Sequence, residues 1–201
     1  MIKLSSPQKG GDGIYHLYSD EMQMHGGSGQ QIVTFVKDDP STTKTLWQVR
    51  PRHHDESDAR EYPSKKLKQK DTCQKVAEPI ACGSIIRVTH LKTQTNLHSH
   101  GVQSPISRQQ EVTSFGQGDG KGDAGDNWKV ECAGTHWQRN KSVRLQHVDT
   151  KAYLGATQQA MFNQNNCGGN CPIMHHLEAF GRKSKDELSV LEADLGVFIH
   201  T

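Results

Sequence analysis

Long apolar runs are missing from this sequence. Across 201 residues the hydrophobic fraction is 32%, and the mean hydropathy is −0.77. No stretch approaches the roughly 18 apolar residues that a membrane helix needs, so insertion by a helix is not expected. The opening residues, MIKLSSPQKG, lack the apolar segment of a signal peptide. A signal peptide is therefore expected to have been removed ahead of position 1. An excess of one charge is also missing. Lys and Arg number 24 against 22 Asp and Glu, a net charge of +2. That balance argues against nucleic acid as a partner. Aromatic residues make up only 6%, so the core must be economical and the loops long. No segment sustains a 3.6-residue period, which excludes a helical bundle.

Catalytic signatures are absent as well. There is no G-x-S-x-G elbow, no P-loop and no G-x-G-x-x-G turn. The stretch GQGDGKGDAGD (Gly116–Asp126) has neither the ligand order nor the terminal glutamate of an EF-hand, and reads as a surface hairpin loop. The five cysteines are Cys73, Cys82, Cys132, Cys167 and Cys171. Cys167 and Cys171 form a C-x3-C pair with no second half of a zinc site. At least one disulfide, and hence an oxidising compartment, is expected. No enzyme activity, cofactor or metal is expected.

What is present is repetition. IRVTHLKTQTNLHSH, from Ile86, aligns with VRLQHVDTKAYLGAT, from Val143, at an offset of 57. Arg87 then meets Arg144, His90 meets His147, Thr93 meets Thr150 and Leu97 meets Leu154. GQQIVTF (Gly29–Phe35) resembles RQQEVTS (Arg108–Ser114), and each leads to an aromatic closure, at Trp47 and Trp128. The last third carries MHHLEAF and ELSVLEAD, with Leu188 in the aligned place of the tryptophan. Within the units, SIIRVTH, QEVTSF and NWKVEC alternate apolar and polar residues as short strands do. DDPSTTK, GDGKGDAGDN and QNNCGGNCP are turn signals.

This pattern predicts an all-β protein, and within that class a β-trefoil with pseudo-threefold symmetry. Four short strands cannot bury their own apolar face, whereas three units can close a six-strand barrel capped by three hairpins. The expected layout is a single domain over 1–201. Its first repeat covers about 1–50, its second about 80–133 and its third about 140–199. A linker of about 51–72 follows the first repeat, and its basic run KKLKQK is expected to be a solvated loop.

The segments GSIIRVTHLKTQTNLHSHGVQSPISRQQEVTSFG and DNWKVEC resemble a MIR repeat. As three consecutive repeats, the chain is similar to the stromal cell-derived factor 2 family, including the GGSGQQ turn at Gly26–Gln31. The first repeat departs from the Leu-His-Ser-His motif with Leu17-Tyr18-Ser19-Asp20, and the third with Leu154-Gly155-Ala156-Thr157. The resemblance implies a β-trefoil built from three MIR repeats. It also implies a non-catalytic interaction module of the endoplasmic reticulum lumen, or a secreted one. Such a module would serve protein folding and quality control through a chaperone, a J-domain co-chaperone or a client polypeptide. Two other readings are a lectin-like module for mannose-bearing glycans and a MIR fragment of a protein O-mannosyltransferase. The chain ends FIHT rather than in a KDEL-type signal, so retention would need a partner.

The candidate contact residues are His98, His100, Arg108, Gln109 and Trp137. His98 and His100 lie two apart on one strand face, where chelation is geometrically possible. No Cys, Asp or Glu nearby in sequence completes a ligand set, so structural hydrogen bonding is the leading expectation and ligand contact the second. Trp137 sits by a turn and is the exposed aromatic expected to serve a sugar. His53 and His54 are expected to be solvated. In the expected fold the first and fourth strands of the middle unit lie side by side, which would bring Cys82 to Cys132. Cys73 competes for either of them, and Cys167–Cys171 is a separate local bridge.

Overall fold

The computed structural model describes residues 1–7, 13–23, 26–37, 43–53, 79–116, 118 and 121–196. Cys73, His54, the basic run and most of the expected linker lie outside the described residues. Those described contain 13 strands joined in one antiparallel sheet. They are β1 (Ile2–Pro7), β2 (Ile14–Gln23), β3 (Gln31–Lys37), β4 (Trp47–Pro51), β5 (Ile85–His90), β6 (Asn96–Gln103) and β7 (Gln110–Phe115). Then follow β8 (Trp128–Cys132), β9 (Ser142–His147), β10 (Tyr153–Gly155), β11 (Leu177–Glu178), β12 (Phe180–Arg182) and β13 (Leu191–Gly196). The α-helix described is the four-residue α1 (Gln164–Cys167). Among the described residues no helix is long and apolar enough to cross a membrane.

Hydrogen bonding can be followed from β10 through β12, β7, β3, β2, β1, β4, β5, β8 and β9 and back to β10. The all-β class stands, but the expected β-trefoil is corrected to a closed antiparallel barrel of 10 strands with extra strands at its margin. The finding that overturns it is edge pairing between hairpins that were expected to be separate caps. Gln31 of β3 pairs with Ser114 of β7, Phe180 of β12 with Glu111 of β7, and Leu177 of β11 with Phe35 of β3. These ladders satisfy backbone groups that separate caps would leave at open edges. A repeat in sequence reports which strands recur and is silent on which edges meet.

Strand alternation fills the interior. Ile86 and Val88 of β5, Trp128 and Val130 of β8, and Val143 and Leu145 of β9 are buried, while Lys129 between two of them is exposed. Trp47 and Trp128 each begin a strand two positions after a 3-10 turn, at Thr43–Thr45 and Ala124–Asp126. The third such turn is Glu187–Ser189, so Leu191, and not Leu188, takes the tryptophan's place, and Leu191 is buried. A smaller cluster of Tyr18, Ile32, Phe162, Cys171 and Ile173 lies apart from this core.

A polar lock recurs in the first two thirds. The Trp47 indole N–H donates to the Leu17 carbonyl at 3.0 Å, and Trp128 to Leu97 at 2.8 Å. The Gln31 amide donates to Ser19 and to Thr93 at 2.7 and 2.9 Å. Gln110 repeats this to Ser99 and Thr150 at 2.6 and 2.7 Å. The Leu-x-Ser and paired-glutamine signatures are thus joints between successive units. Cys82 is bonded to Cys132, and Cys167 to Cys171.

Candidate functional site

The middle motif builds a chain of polar side chains. Strand β6 presents His98 and His100 on one face, as period-two alternation requires. His98 Nδ1 lies 2.9 Å from Asp126 Oδ1, His98 Nε2 lies 3.3 Å from His100 Nδ1, and His100 Nε2 lies 3.1 Å from Glu111 Oε2. Asp126 and Glu111 are each 0% exposed. Both ends are closed by backbone. Asp126 Oδ2 accepts from the Asp123 N–H at 3.1 Å, and Glu111 accepts from the Ser28 N–H at 3.1 Å.

The two rings thus form a continuous polar chain between two buried carboxyl groups. Small residues permit the close approach. A Cβ at Gly125 would overlap the His98 ring, and one at Gly27 would overlap the Glu111 carboxylate. The GGSG turn therefore wraps a side chain that sits 83 residues further on.

Besides Glu111, sequence reasoning missed three members of this network. Asp126 ends the stretch expected to be a surface loop, yet it is buried and accepts from Asn96 Nδ2 at 2.9 Å. Asp123 caps the 3-10 turn at Gly125 N and stands 3.6 Å from His98 Nδ1. The Asp-x-x-Asp spacing was the available signal, because the first aspartate can cap the turn that orients the second. The third is His53, expected to be solvated. Its Nε2 lies 3.0 Å from Asp126 Oδ2, and its backbone N–H donates to Asn127. His98, Asp123 and Asp126 bring ligand-type atoms within 4.8 Å of one another, the arrangement that could approach a cation. Three groups fall short of the four that close a structural zinc site, and Asp126 is already engaged by its neighbours.

The other candidates lie elsewhere. Arg108, with φ of 59°, and Gln109 line an open cleft of about 420 Å³ between the β6–β7 hairpin and the chain after β12. Glu178 shapes this rim, accepting from Ser104 Oγ, Ile106 N and Ser107 N at 2.8–2.9 Å. Trp137 is not the exposed platform expected. It is half-buried against the main core, and its indole N–H is buried without a partner. His175 is exposed, whereas His176 Nδ1 meets Thr34 Oγ1 at 2.9 Å, so this adjacent pair points to different surroundings.

The other recurring histidines belong to the core. His90 packs on Trp47 at 4.9 Å and His147 on Trp128 at 5.1 Å. Burial depresses both pKa values, that of His90 to about 4. Asp20 takes the motif position of His100 and is paired with Lys44 and Lys92 at 2.6 and 2.8 Å. Burial raises its pKa, but those ammonium groups hold it well below the usual carboxylate range.

No protein-family model matches the chain. Stromal cell-derived factor 2-like protein 1 of Mus musculus is 35% identical over 183 residues, covering 91% of this chain and 71% of that protein. The chain belongs to the stromal cell-derived factor 2 family. The crystal structure of the SDF2-like protein from Arabidopsis thaliana matches this family member with a TM-score of 0.75 and 30% identity, covering 98% of this chain and 93% of the other. A chain of the S. cerevisiae protein O-mannosyltransferase Pmt1-Pmt2 complex bound to the sugar donor matches with a TM-score of 0.69. That match covers 96% of this chain and 24% of the yeast chain at 22% identity, and speaks for the fold alone.

Proposed function

We propose that this stromal cell-derived factor 2 family member is a non-catalytic interaction module of the secretory pathway. It would act in protein folding in the endoplasmic reticulum, in complex with a chaperone or a J-domain co-chaperone. Family membership carries the reading, through 35% identity over 91% of the chain. The two disulfides accord with an oxidising compartment. The wiring of the motif accords with a structural role for its histidines. The nitrogens of His98 and His100 and the oxygens of Asp126 and Glu111 are bonded to one another and to backbone amides.

The lectin-like reading is weaker. A pyranose presents an apolar face that an aromatic ring usually covers, yet the lining of the cleft contains no aromatic residue. Trp137 is half-buried against the core instead. The test is reconstitution with defined partners. The chain should co-elute with a purified lumenal J-domain co-chaperone and change its ability to hold an unfolded client. Failure to bind any such co-chaperone, together with capture on mannose-bearing glycoprotein that glycosidase abolishes, would replace this reading with the lectin.

A further inference from the structure

The cleft beside the motif has a one-sided chemistry. Its cations are Arg108, Arg182 and Lys183, and its lining contains no carboxylate. Gln103, Gln109 and Ser184 add amide and hydroxyl groups. Among the described residues, the side chains of Arg108, Gln103, Gln109 and Ser184 make no hydrogen bond or ion pair. Lys183 gives one N–H to the Thr150 carbonyl and keeps the rest of its ammonium exposed. Arg182 pairs with Asp186 through Nη2 at 2.5 Å, while its Nε–H is buried with no acceptor. The charge excess of the lining therefore rests on Arg108 and Lys183, with Arg182 partly neutralised by Asp186.

We propose that this cleft binds an acidic polypeptide segment in extended conformation. The proposal rests on the interaction-module reading and names the chemistry of the partner. Carboxylate side chains would meet the three cations, with charge-assisted bonds to the guanidinium groups. Glutamine amides both donate and accept, which suits them to a peptide backbone passing between them. Val102, an apolar side chain left 40% exposed at the same rim, would cover an aliphatic stem. Competing ligands fit less well. The volume of about 420 Å³ exceeds what one inorganic anion fills. The lining has no aromatic ring to stack a base or cover a sugar. Backbone access is open, since a Cβ on Gly101 in the lining would meet nothing within 4 Å.

The experiment is fluorescence anisotropy on the full chain with a labelled Glu/Gly peptide and its Gln/Gly counterpart. The Glu/Gly peptide should bind more tightly by about tenfold or more, the worth of one charge-assisted contact. Raising the salt should weaken it. The pair Arg108→Glu and Lys183→Glu should abolish binding. Gly101→Leu should do the same by filling the cleft, with the melting temperature of both variants unchanged. Equal binding of the two peptides, or binding that survives both variants, would overturn the proposal. So would an oligonucleotide or a glycan that binds the same cleft more tightly than the acidic peptide. Co-chaperone binding separates the two claims. If the charge-reversed variant keeps the co-chaperone and the acidic peptide never binds, the cleft assignment fails and the module reading stands. If the peptide binds as expected and no co-chaperone does, the module reading fails alone.

Discussion

Acidification will destabilise this protein through His90 before its carboxylates titrate. His90 is 0% exposed. Its Nε2 lies 3.1 Å from the Lys44 carbonyl and its Nδ1 lies 2.9 Å from Thr93 Oγ1. A carbonyl only accepts, so Nε2 carries the proton and Nδ1 accepts from the threonine hydroxyl. Burial lowers the pKa from 6.5 to about 4, against the opposing pull of the Lys44 carbonyl. Below 6.5 the unfolded chain therefore binds a proton that the folded chain refuses. Stability is full above the unfolded value and falls as the pH drops from 6.5 toward 4. Linkage puts the loss at about 2 kcal/mol by pH 5 and about 3 kcal/mol by pH 4. His147 adds in the same direction, since burial lowers its pKa as well. The assay is urea denaturation followed by tryptophan fluorescence, because His90 packs on Trp47. His90→Gln keeps a donor for the Lys44 carbonyl but cannot titrate. Its stability should change less than that of the wild type between pH 6 and pH 5, by about 1 kcal/mol. A variant with the wild-type slope, or a wild type that is flat over this range, would refute the argument.

Three other outcomes follow from particular contacts. Glu178→Ala leaves the amides of Ile106 and Ser107 without their acceptor and should cost about 3 kcal/mol. Hydrogen exchange at those two amides should accelerate, and unchanged protection would contradict the role given to Glu178. Removing the Cys82–Cys132 bond, which spans a separation of 50, should cost about 4 kcal/mol, and removing Cys167–Cys171, with a separation of 4, about 2 kcal/mol. Denaturation of the two serine-for-cysteine double variants checks that order, and a reversed order would be inconsistent with loop-closure entropy as the cause. His98→Ala with His100→Ala should lower stability by about 1–3 kcal/mol while leaving acidic-peptide binding in place. Lost binding with unchanged melting would mean that these rings serve a ligand.

Much of the strand content was legible locally. SIIRVTH and NWKVEC alternate because β5 and β8 bury one face, and the structure forms strands at both. The family was legible too, since the signature in the middle third is dense, and identity over 91% of the chain bears it out. The aligned tryptophans led to the right kind of position but the wrong third residue. Leu188 and Leu191 are both leucines, and only the 3-10 turn ending at Ser189 shows which one enters the core. Trp137 looked exposed because it follows a turn, yet half of it lies against the core. His53 and Asp126 looked solvated because polar, Gly-rich or proline-flanked surroundings usually are.

The amino-acid sequence by itself determined the local features. These are the period-two burial that makes strands and the Asp123 cap that forms a 3-10 turn. The tertiary structure alone decided which of these distant pieces meet. It brings Asp126 to a histidine 28 residues away and Ser28 to a glutamate 83 residues away, and it joins the hairpin edges into a closed barrel in place of separate caps. The reason is that a strand's own pattern states which face is buried, whereas register and edge partner are set when the whole sheet closes. Each hydrogen bond across that closure depends on every strand between its two ends.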